Sequence, residues 1–119
     1  MAKKDDRLVV YERIYKLIFY TNNLLQKYPK AERFALCDRI KNIELMCLEN
    51  VMYAWKETNS KVRFKLLLDV DVKLYVLKTL TRISYESKYI NDKNYVAFDN
   101  QINEIGKMVG AWRKKCQNV

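Results

Sequence analysis

Only three of the 119 residues are conformational punctuators: two glycines and one proline. A sheet protein reverses direction often and spends Gly, Pro and similar residues at its turns, so a chain with so few can reverse only a handful of times. Hydrophobic residues make up 50% of the sequence, and the remainder is rich in Lys, Glu and other helix formers. The expected fold is therefore all-α. At this length it is a single domain, residues 1–119, with enough apolar content for one core.

The few breaks divide the chain into four segments with helical periodicity, at about 7–27, 31–58, 61–87 and 93–116. Asp5 or Asp6 is a suitable N-cap for the first helix, and Tyr28-Pro29 stops it. Its apolar stripe is Val10, Ile14, Leu17, Thr21, Leu24 and Tyr28, widened by Ile18 and Leu25. The second helix should start at Lys30 or Ala31, with Leu36, Ile40, Ile43, Cys47, Val51 and Ala54 on one face. Asn59-Ser60 connects it to the third, with Ser60 as N-cap, and Asn91 or Asp92 caps the fourth. Connections this short join antiparallel neighbours, which predicts an up-down-up-down four-helix bundle.

The fourth helix holds both glycines. Phe98, Ile102, Ile105, Val109, Trp112 and Cys116 form a narrow stripe at ~100° per residue, with Gly106 and Gly110 beside it. Each glycine costs a helix roughly 1 kcal/mol against alanine. Two of them four apart point to close approach of another backbone, either within the subunit or from a second chain.

The third helix is apolar on two sides. Leu66, Leu67, Val70, Leu74 and Leu77 form one face, and Leu68, Val72, Val76 and Ile83 lie nearly opposite. Asp69 and Lys73 separate the two on one flank; Asp71, Lys78 and Arg82 do so on the other. A helix in a small monomeric bundle needs only one apolar face. Leu8, Tyr11, Tyr15 and Phe19 make a weaker second stripe on the first helix, and Phe34, Leu45 and Met52 do so on the second. Tyr15, Phe19, Leu68, Val72, Val76 and Ile83 are accordingly assigned to an interface between copies in a homo-oligomer.

Chemistry is constrained by what is missing. With no histidine, the commonest general base and metal ligand is absent. Asp69 and Asp71 diverge by ~200° on a helix and cannot share a site. Cys37 and Cys47 would lie ~15 Å apart along one helix, too far to be bridged, so the three cysteines are expected as buried reduced thiols. No glycine loop for phosphate and no ligand cluster occurs, so neither catalytic residues, metal nor cofactor is expected. The N-terminus lacks a signal-peptide core and no apolar run reaches the ~20 residues of a span, which places the protein in the cytoplasm, off the membrane.

Charge is the positive lead. Lys and Arg number 23 against 14 Asp and Glu, a formal +9, and such a field favours RNA or DNA. Two basic groups stand out: Lys78 with Arg82, one turn apart, and the terminal Arg113, Lys114 and Lys115. Arg33 and Glu44 fall near the core edge of the second helix, where both could pair with neighbouring helices and Arg33 could instead face a polyanion. Asp71 precedes Lys78 on the same stripe, so an internal ion-pair row competes with phosphate binding there. In a symmetric ring each basic pair recurs once per subunit, building a band for a phosphate backbone with little sequence preference. Some of the nine tyrosines could stack bases, though most fall at bundle spacings.

Three segments, Pro29 to Ile40, Arg63 to Arg82 and Glu104 to Trp112, together resemble the Avd family, the accessory variability proteins of diversity-generating retroelements. The resemblance runs in order along nearly the whole chain. The wider family includes proteins encoded in 23S ribosomal RNA intervening sequences, but the Arg-Ser-Gly-rich helix opening of that branch is absent here. The resemblance implies a non-enzymatic protein that forms a pentameric barrel, binds the retroelement reverse transcriptase and contacts nucleic acid through a basic surface, with Arg82 matching the family's arginine in its helix. It further implies a role in copying template-repeat RNA into mutagenised cDNA. The alternatives are a ribosomal-RNA-associated bundle of the same fold, or a helical protein-interaction module whose charge serves only solubility.

Overall fold

Four-and-three spacing of apolar residues commits each long segment to a helix with one face that must be covered, and four such helices cover one another. In the computed structural model, which describes residues 6–117, they are α1 (Asp6–Leu25), α2 (Leu36–Lys56), α3 (Ser60–Glu86) and α4 (Asp92–Gln117). Packing runs α1 to α2, α2 to α3, α3 to α4 and α4 back to α1, giving the antiparallel four-helix bundle. It follows that α1 and α3 occupy opposite corners. The N-cap expected of Asp5 or Asp6 lies outside the described side chains.

The stripes read from sequence are the core. Val10, Ile14, Leu17, Thr21, Leu24 and Tyr28 are buried, as are Ile40, Ile43, Cys47, Val51 and Ala54, and Phe98 through Cys116 on the α4 stripe. On α3 the core face is Leu67, Val70, Leu74 and Leu77, continued by the small polar Thr81 and Ser84, whose hydroxyls donate to the carbonyls of Leu77 and Leu80. Leu36 and Leu66 are only partly buried against it. Phe98 fills the α1–α4 seam edge-on to Tyr20, ring centroids 6.0 Å apart. Truncating such a ring to alanine costs about 3–5 kcal/mol. All three cysteines are free and buried.

Two helix starts differ from expectation, each for a local reason. The segment after Pro29 forms a 3-10 turn, Lys30–Glu32, and α2 begins only at Leu36. Glu32, Arg33 and Ala35 donate to carbonyls three residues back, and Ala35 then leaves helical geometry at φ −118° and ψ −97°. Arg33 and Phe34 therefore sit on an exposed corner and not on the core edge of a helix. At the α2–α3 connection the N-cap is Asn59 and not Ser60: its Oδ1 accepts from the amides of Lys61 and Val62 at 2.9 and 3.2 Å. The Arg63 guanidinium donates to the carbonyls of Ala54 and Glu57, satisfying the end of α2. Asn91 caps α4 as expected, accepting from the amide of Asn94 at 2.8 Å.

Candidate nucleic-acid and assembly surfaces

The outward faces of α1 and α3 remain apolar after the core is complete. On α3, Val72 is 55% exposed and Ile83 46%, while Leu68 and Val76 are half-buried and Val76 also packs against the core. Tyr75, which the sequence did not single out, is 68% exposed on the same helix. On α1, Tyr15 and Phe19 are exposed and join Tyr11 in a ladder of rings, with centroids 6.2 and 5.1 Å apart. Because α1 and α3 are diagonal, the molecule presents two different apolar stripes on opposite corners. Leu45, Met46, Met52 and Tyr53 add exposed apolar area on α2, and Phe34 stands out at its corner.

Space is left at the two glycines of α4. A Cβ placed on Gly106 or Gly110 meets nothing within 4 Å, so no backbone of the subunit itself needs either glycine. Close packing inside the bundle is thereby removed as their explanation.

The basic residues are distributed unlike the sequence grouping. Lys78 turns toward α4, donating to Asn103 Oδ1 at 2.6 Å with Asp99 Oδ1 at 3.8 Å. Arg82, one turn on, points along its own helix to Glu86 at 3.0 Å and is 70% exposed. The Asp71 carboxylate pairs not with Lys78 but with Arg113 across the α3–α4 seam at 3.4 Å, and the Arg113 guanidinium lies 5.8 Å over the Phe64 ring. Lys114 and Lys115 are exposed in the last turn of α4. Antiparallel packing thus places Arg113, Lys114 and Lys115 at one end of the bundle, Arg33 and Arg82 toward the other, and Lys78 between them.

Glu44 is the structure's buried acid, 1% exposed. The Thr21 hydroxyl donates to its Oε2 at 2.5 Å, while Oε1 has no partner. Burial pushes its carboxyl up to about 8, against the smaller lowering effect of that hydrogen bond, so it is protonated at neutral pH. The pairing with a neighbouring helix expected for Glu44 is a neutral hydrogen bond to α1 and not an ion pair. Burial likewise pushes the Cys47 thiol up to about 12, which keeps it unreactive. Among the described residues no three potential ligands gather around a metal position, and no described helix is long and apolar enough to cross a membrane.

Comparison with known proteins adds the family. A model of the bAvd-like family matches residues 8–116. A crystal structure from Bacteroides thetaiotaomicron, of a protein with unknown function from the S23 ribosomal protein family, superposes with a TM-score of 0.83 over 92% of this chain and 99% of that one. Its sequence identity is 15%, so it attests the fold alone. No curated protein matches significantly.

Proposed function

We propose that this chain, which belongs to the bAvd-like family, is an Avd-type accessory protein without a catalytic role, serving a diversity-generating retroelement by binding the reverse transcriptase and its template-repeat RNA or cDNA in the cytoplasm. The supporting observation is the pair of unlike apolar stripes on opposite corners of a subunit whose core is already filled. Two unlike patches on opposite sides suit head-to-tail contact, which closes into a ring when the rotation allows. A pentamer is the ring proposed, with Tyr15 and Phe19 of one copy against Leu68, Val72, Val76 and Ile83 of the next.

The ring would repeat the exposed basic groups Arg33, Arg82, Lys114 and Lys115 around its rims, with Arg82 exchanging Glu86 for phosphate and the less exposed Lys78 and Arg113 leaving their partners on α4 and α3. A repeated +9 subunit attracts phosphate backbones without reading sequence. The test is co-expression with the reverse transcriptase encoded in the same genome, followed by affinity capture and sequencing of bound RNA. Co-elution of the polymerase with template-repeat RNA is expected. Recovery of ribosomal RNA without polymerase would replace this reading with the ribosomal alternative.

A further inference from the structure

The α3–α4 end of the bundle contains a cleft of about 700 Å³, whose lining includes Lys27, Tyr85, Glu86, Lys88, Asn91 and Asp92. Its walls are fixed. The Tyr89 hydroxyl donates to Glu32 at 2.9 Å and its ring lies 5.5 Å from Tyr28, tying the α3–α4 connection to the 3-10 turn. Tyr85 stacks on Tyr95 with centroids 4.4 Å apart and planes 11° from parallel. Tyr85 lines the cleft and Tyr95 does not, so the stack reaches the cleft through Tyr85.

The charges in the cleft are unequally engaged. Glu86 is held by Arg82, and Asp92 accepts from the Tyr85 hydroxyl. Among the described residues neither Lys27 nor Lys88 has an acidic partner. Lys88 is also the one described non-glycine residue with positive φ, at 67°, the left-handed position after a helix that glycine fills without strain. Here a lysine occupies it, in the lining of the cleft and with no ion pair among the described residues.

A tyrosine ring in the wall, two ammonium groups without an acidic partner and side-chain amides within one cleft suit three features of a nucleotide: the flat face of its base, its phosphate and the polar edge of the base. We propose that this cleft binds one unstacked nucleotide, its base on Tyr85 and its phosphate on Lys27 and Lys88. The chemistry is common to a free nucleotide and to a nucleotide within a single strand. The site deepens the nucleic-acid reading given above and rests on it for its biological meaning.

The test measures binding of the full chain to dye-labelled oligothymidine and to an abasic strand of equal length, with AMP as competitor. Stacking of one base is worth about 1–3 kcal/mol, so the base-bearing strand should bind roughly tenfold more tightly. Lys88→Gly removes the charge while relieving the backbone, and should weaken that binding several-fold with the thermal midpoint unchanged or raised. Tyr85→Leu should abolish the preference for the base-bearing strand, and Tyr85→Phe should retain it. Competition by AMP identifies a site open to free nucleotides; binding of the strand without competition identifies a strand-specific one, and both support the cleft. Equal binding of both strands by wild type, or wild-type binding by Lys88→Gly and Tyr85→Leu, overturns the cleft while leaving general nucleic-acid binding intact. If neither strand binds, the general reading fails, and direct AMP titration decides the cleft: binding lost in Lys88→Gly upholds it, and no binding overturns it.

Discussion

Thr21 and Glu44 join α1 to α2 through a 2.5 Å hydrogen bond inside a mainly apolar core. The acid is neutral when the protein is folded at pH 7, because burial raises its ionisation to about 8 from an ordinary 4.5. The folded state therefore binds a proton that the unfolded chain has released between those values. Stability from this group is full below about pH 4.5, falls as pH rises toward 8, and levels off above it. With no histidine in the chain, no other side chain ordinarily titrates in that window. Denaturation midpoints measured from pH 5 to about 8, below the range in which unfolded thiols ionise, should decline, and Glu44→Gln should remove most of the decline. A flat wild-type profile would show that Glu44 is solvated.

Lys78 and Arg82 should behave differently despite lying one turn apart. Lys78→Ala deletes a bond to Asn103 and an ion pair to Asp99 that link α3 to α4, and thermal denaturation should show a loss of about 1 kcal/mol, kept small by partial exposure. Arg82→Ala should leave stability nearly unchanged and lower affinity for RNA, with a shallower salt dependence. Reversed outcomes would make Arg82 the structural residue and Lys78 the phosphate contact.

Gly106→Ala and Gly110→Ala separate the subunit from the assembly. Neither new methyl meets an atom of the same chain, so each change should stabilise the helix by up to about 1 kcal/mol. If a neighbouring copy or the polymerase approaches there, the same changes should weaken that association. Calorimetry on the subunit and light scattering on the complex read the two effects independently. Stabilisation with every association intact would mean that no other chain needs the glycines.

The fold was legible because its causes are periodic: the stripes from Val10 to Tyr28 and from Phe98 to Cys116 are buried throughout. The second face of α3 was also visible, with Val72 and Ile83 outward, although Val76 is partly held by the core. What spacing could not give was pairing between helices. Asp71 and Lys78 share a flank of α3, yet their partners, Arg113 and Asp99, are set by the depth at which α4 packs. Arg33 was misplaced because the 3-10 turn before it is held by Tyr89, which is distant in sequence. The cleft around Tyr85 and Lys88 is lined, apart from Lys27, by residues 85–94, a polar break between helices whose spacing alone does not mark a concavity.

The central claim, that the two outer stripes bind one another in a ring, is tested most directly by multi-angle light scattering on the purified chain at micromolar concentration. The account predicts a mass five times the subunit's 14.3 kDa, reduced to that of the monomer by Val72→Glu with helicity retained. Val72 is the better probe than Val76 because its side chain makes no part of the core. A wild-type chain that stays at 14.3 kDa would contradict the account.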